Sequence, residues 1–116
     1  MQYLLLIYNA ESNFASMSDA DGAKMLQEFG AFTQSIIDSG NYKGGNQLHP
    51  ISKATTVRVK DGKTLVTDGP FAETKEQLGG YYLIEAADLD EATAIAARIP
   101  SAGMGPIEVR PIVPLG

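Results

Sequence analysis

The sequence predicts a single α+β domain, and three observations carry that prediction. The 116 residues match the size of one hydrophobic core. Apolar residues recur at helical spacing in two segments and at strand spacing in the others. The order βα, then a strand and a hairpin, then βαβ lets two helices cover one face of an antiparallel sheet.

Residues Gln2 to Tyr8 form the first expected strand. Tyr3, Leu5 and Ile7 point one way and Leu4, Leu6 and Tyr8 the other, so both faces are apolar and both need cover. A loop is expected over Asn9 to Met17, followed by a helix that Ser18 caps with Asp21 three residues on. Met25, Phe29, Phe32 and Ile36 form its buried stripe, and Gly40 suits the left-handed residue past its end. Residues Asn41 to Lys53 read as a short strand with loops.

The sharpest local signal is Thr55 to Lys60 and Lys63 to Thr67 around Asp61-Gly62, a two-residue hairpin loop. That register pairs Lys60 with Lys63, Arg58 with Leu65 and Val57 with Val66. Val57, Val59 and Val66 then share one face, and the lysines and Arg58 share the other. The chain is expected to be irregular or briefly helical from Asp68 to Gln77, and Gly79 to Ala86 is a strand apolar on both faces. Asp88 caps a second helix with Ala92, Ile95, Ala96 and Ile99 as its stripe, and Pro100 ends it. Ile107 to Val113 is the last strand, with Pro111 suited to an edge.

Two helices leave the second face of this sheet bare, although two strands supply it with apolar side chains. A second copy of the chain is the economical cover, so a homodimer is expected.

Composition removes several function classes. The chain has no cysteine, which excludes disulfides, thiol nucleophiles and thiolate metal centres. A single histidine, His49, leaves too few nitrogen ligands for zinc, so no metal and no cofactor are expected. A net charge of −5 argues against nucleic acid or an anionic membrane as partner. The apolar run Tyr3 to Tyr8 is too short to span a bilayer and lacks the basic start of a signal peptide. A cytoplasmic address is the default expectation.

The block Thr67-Asp68-Gly69-Pro70-Phe71-Ala72-Glu73-Thr74-Lys75-Glu76-Gln77-Leu78-Gly79-Gly80-Tyr81-Tyr82-Leu83-Ile84 resembles the signature of the DGPF branch of the YCII-related family. Tyr3 to Tyr8, Thr55 to Val59 and Ile107 to Pro111 resemble it as well, so the likeness covers nearly the whole chain. It implies a ferredoxin-like sandwich with an inserted hairpin, forming a dimeric α/β barrel with a cleft between sheet and helices. The wider family includes a dehydrochlorinase acting on a chlorinated hydroxyquinol and is associated with a His–Asp pair. The first helix here has no histidine, and Phe29 lies about where it would be, so that pair is not carried over. Branch members also resemble proteins encoded beside alternative sigma factors, which implies a regulatory alternative.

Asp68 is the first candidate for chemistry. By hairpin parity it shares a face with Val57 and Val66, where a desolvated carboxylate can act as a general acid or base. The alternative is an Asx-turn in which it ties the Gly69-Pro70 turn. His49, the one histidine, sits before a proline in a loop, as a ligand contact or simply a solvated loop residue. Glu73, with Lys75 and Glu76, either lines a pocket mouth or faces water. Of Tyr81 and Tyr82, one belongs in packing and the other is a candidate for the cleft. Arg110 can bind a ligand carboxylate or pair with Glu108 two residues earlier. Gly79-Gly80 precedes a strand rather than a helix and is therefore no phosphate loop. A deep cleft lined by Asp68 and an aromatic ring would favour a binding protein. A cleft closed by side chains would favour an interaction module.

Overall fold

The computed structural model describes residues 1–115. Its elements are β1 (Gln2–Asn9), α1 (Glu11–Ala15), α2 (Asp19–Asp38), β2 (Tyr42–Gln47), β3 (Thr55–Lys60), β4 (Lys63–Asp68), β5 (Gln77–Glu85), α3 (Leu89–Ala97) and β6 (Ile107–Pro111). A single 3-10 turn, Ile51–Lys53, precedes β3. Four strands form an antiparallel sheet in the order β2-β5-β1-β6, while β3 and β4 pair only with each other. The run β1-α2-β2-β5-α3-β6 is consistent with a ferredoxin-like fold.

Both long helices begin where the caps predict. The Ser18 hydroxyl accepts a hydrogen bond from the Asp21 amide at 3.1 Å, and Asp88 accepts one from Glu91 at 2.9 Å. Their stripes meet the sheet in one core. Phe32 and Ile36 of α2, and Ala92, Ile95 and Ala96 of α3 with Ile99 beyond it, bury Tyr3, Leu5 and Ile7 of β1 and Tyr82 and Ile84 of β5. Phe29, Tyr42, Ile107 and Val109 close the margins. Tyr82 needs one special concession from its neighbour strand. A Cβ on Gly45 would stand 2.8 Å from the Tyr82 ring and 2.9 Å from the Tyr81 carbonyl, so only glycine fits there.

The opposite face of the sheet turns away from α2 and α3. It carries Leu4, Leu6 and Tyr8 of β1 beside Leu83 and Tyr81 of β5, all half-buried by their neighbours in the sheet. The edge strand β6 adds Glu108 opposite Leu6 and Arg110 opposite Leu4.

The β3–β4 hairpin stands apart as an arm. Its register is the predicted one, and Asp61 and Gly62 have φ of 53° and 75°, the pair of positive values a type I′ turn requires. Val57, Val59 and Val66 are 59%, 71% and 65% exposed. The molecule is consequently broad and thin, 48 × 47 × 18 Å with a radius of gyration of 16.2 Å. A compact chain near this length would have about 13 Å.

Three details differ from the sequence expectation. The loop expected over Asn9 to Met17 contains the short helix α1, which has Glu11 in its first turn and no side-chain cap. β5 starts two residues early at Gln77, because Gly79 is accommodated as a bulge between the pairs Ile7–Gly80 and Tyr8–Leu78. β6 stops at Pro111 instead of Val113, although the Ile112 amide still donates to the Gln2 carbonyl of β1 at 2.9 Å.

Candidate functional site

Asp68 closes β4 opposite Thr55, on the same face of the arm as Val57 and Val66, and is exposed. The turn that follows is held without its side chain. The Gly69 amide donates to the Ala54 carbonyl at 2.7 Å, and the Thr56 hydroxyl donates to the Gly69 carbonyl at 2.8 Å. Gly69 itself has a φ of 100°. Among the described residues the Asp68 carboxylate accepts no hydrogen bond, so the turn does not depend on it.

The arm is anchored at its root by a residue to which the sequence pattern assigns no role. Glu11, half-buried in the first turn of α1, accepts a hydrogen bond from the Ile51 amide at 2.9 Å. Its own amide donates to the Gln77 side chain at 2.9 Å, and Gln77 donates in turn to the Thr74 carbonyl at 2.5 Å. Ile51 precedes the arm and Gln77 follows it, so one short helix fixes both ends of the excursion. The signal available in the sequence was an acidic residue at the start of a helix, which needed α1 to be recognised first.

The two tyrosines separate cleanly. Tyr82 faces the helices and is buried, with its ring edge-on to Phe32 at 5.3 Å and to Tyr42 at 6.4 Å. Its hydroxyl lies 2.6 Å from the Thr33 hydroxyl. Thr33 gives its own proton to the Phe29 carbonyl at 2.8 Å, so Tyr82 is the donor of that pair. Burial raises the Tyr82 pKa above the ordinary tyrosine value, and nearby Tyr42 adds to the shift. Tyr81 lies on the helix-free face, where its hydroxyl accepts a hydrogen bond from the Asn46 amide nitrogen at 2.9 Å.

The remaining candidates stay apart. His49 is exposed in the segment between β2 and the 3-10 turn, and Glu73 is exposed in the connection from β4 to β5. Arg110 is exposed and pairs with Glu108, its Nε donating to the Glu108 carboxylate at 2.8 Å. The space between sheet and helices is filled by the core side chains. A depression of about 430 Å³ lies elsewhere, where the end of β1 meets the start of β6 and the connection before β5. Tyr8, Lys75, Glu76 and Glu108 line it together with Thr74, Pro106 and Ile107. Lys75, Glu76 and Glu108 are among the sequence candidates, whereas the sequence pattern marks Tyr8 only as a strand residue.

An antiparallel sheet with helices on one face, an exposed arm and an open depression beside Tyr8 describe an α+β protein. The chain belongs to the YCII-related domain family, whose model spans residues 1–116. It is also 40% identical over 114 residues to an uncharacterised protein of Rhizobium meliloti (strain 1021), an alignment covering 97% of this chain and 92% of that one. No helix among the described residues is long and apolar enough to cross a membrane.

Proposed function

We propose that this chain is a DGPF-branch member of the family that works as a homodimer and binds a small molecule. The hairpin is read as an insertion into the ferredoxin-like body, and two helix-free sheet faces meet to form a dimeric α/β barrel. The observation that carries the dimer is the pairing of Leu4 and Leu6 with Leu83 and Tyr81 on a face that no helix covers, in a molecule only 18 Å thick. Stable domains bury a sheet between layers, and this sheet has a layer on one side.

The depression beside Tyr8 falls within the size range of small-molecule sites. It offers one cation, Lys75, and two carboxylates, Glu76 and Glu108, which suits a ligand with both hydrogen-bond donors and acceptors. Asp68 is the proposed acid/base group, supported by a carboxylate free of structural duty. Ligand-induced melting shifts across a metabolite library provide the test. A hit lost in both Glu108→Gln and Tyr8→Phe supports the depression, and a hit unaffected by either moves the site elsewhere.

One observation favours a second reading. The layer between sheet and helices is closed by side chains, which fits a regulatory or interaction module acting beside an alternative sigma factor. A library without hits, together with a stable complex between the dimer and such a factor, would decide for that module.

A further inference from the structure

Three aspartates of this chain stand directly before glycine, in the pairs Asp21-Gly22, Asp61-Gly62 and Asp68-Gly69. Such a pair has a chemistry of its own. The glycine amide nitrogen can attack the aspartate Cγ, and water leaves as a five-membered succinimide ring closes. Water then opens the ring at either carbonyl, giving back aspartate or leaving isoaspartate, whose main chain runs through the former side-chain carboxyl. Glycine favours closure because it has no Cβ to crowd the approach. All three aspartates are exposed, and a Cβ at any of the three glycines would meet nothing within 4 Å, so room does not separate the pairs.

The hydrogen bonds of the glycines do separate them. A nitrogen whose hydrogen is held by a carbonyl can neither lose that proton nor turn toward Cγ until the bond opens. The Gly22 amide donates to the Ser18 carbonyl at 2.9 Å, inside the start of α2. The Gly69 amide donates to the Ala54 carbonyl at 2.7 Å, and the Gly69 carbonyl accepts from the Thr56 hydroxyl at 2.8 Å. Among the described residues the Gly62 amide has no backbone acceptor. It lies at the tip of a two-stranded sheet that pairs with nothing else, and such a hairpin opens locally at low cost.

We propose that Asp61-Gly62 is the site of spontaneous isoaspartate formation in this chain, and that the other two pairs are protected by their backbone hydrogen bonds. Isoaspartate adds a methylene to the main chain, and a type I′ loop of two ordinary residues no longer accommodates it. The change unpairs Lys60 from Lys63 and loosens the arm, while the body, held by burial, keeps its fold. The inference needs neither the dimer nor a ligand.

The wild-type chain, aged for several weeks at neutral pH and physiological temperature, provides the test. Isoaspartate is read at each position by peptide mapping with a protease that cuts before aspartate but not before isoaspartate. Methyl transfer from S-adenosylmethionine by an isoaspartyl methyltransferase gives a second reading, and a parallel sample in denaturant shows the three pairs without the fold. In the folded chain, isoaspartate at position 61 should exceed that at 21 and at 68 by about 5-fold or more, the factor that one ordinary backbone hydrogen bond supplies. The denatured chain should show similar amounts at all three. A folded chain with the same proportions as the denatured one, a larger amount at 21 or 68, or none at 61 overturns the proposal.

Discussion

The body and the arm use the same kinds of residue toward opposite ends. In the body, β1 alternates Tyr3, Leu5 and Ile7 inward, and α2 and α3 bury them until Leu5, Ile36 and Ile84 have no exposed surface. In the arm, Val57, Val59 and Val66 alternate just as regularly, yet none of the described residues forms a layer over them. Strand patterning therefore fixes which side chains share a face, and only the layer above decides whether that face is a core or an interface. The arm's order comes from its type I′ turn and its anchored root, whereas the body's comes from burial.

Substitutions divide along this line. The largest effect is expected from Leu5→Ala, which opens a cavity in the body and should cost about 2–5 kcal/mol in denaturant unfolding. Val59→Ala, at a site 71% exposed in the chain, should leave body unfolding within about 0.5 kcal/mol at dilutions where chains separate. If the two costs were equal, the arm would be part of the core and the contrast would fail.

Next comes Gly45→Ala, where a Cβ meets the Tyr82 ring and the Tyr81 carbonyl. Overpacking there should cost about 1–3 kcal/mol in thermal unfolding. Tyr82→Phe removes the hydrogen bond to Thr33 and should cost about 1 kcal/mol near neutral pH. Its pH dependence has a definite sign. The folded-state pKa of Tyr82 is raised, so its contribution is intact below the ordinary tyrosine value of about 10 and is lost as pH rises beyond it. Tyr82→Phe should therefore flatten the alkaline fall in stability above that pH, and an unchanged alkaline limb would contradict the burial of this hydroxyl.

The smallest stability effect is expected at the arm's own candidate. Asp68→Ala and Asp68→Asn should each shift unfolding by less than about 0.5 kcal/mol, because Thr56 and the Ala54–Gly69 backbone bond hold the turn. A loss of about 1 kcal/mol for Ala alone would show that the carboxylate caps the turn after all.

Much of this fold was legible in the sequence. The caps at Ser18 and Asp88, the stripe Ala92-Ile95-Ala96-Ile99 and the hairpin register all follow from local rules that the structure obeys. What stayed hidden depended on long-range geometry. The helix α1 is five residues long without a side-chain cap, so nothing local announces it, and the role of Glu11 at the arm's root could not be seen without it. Tyr81 and Tyr82 are equivalent in sequence, and only the position of α2 decides that Tyr82 is the buried one. The parity of Asp68 was readable, but whether anything covers its face depends on a layer this chain does not supply.

That missing layer is the central claim, and the mass of the particle in solution tests it most directly. Sedimentation equilibrium of the wild-type chain at micromolar concentration should give twice the chain mass of 12.4 kDa. A single 12.4 kDa species across that range would contradict the account.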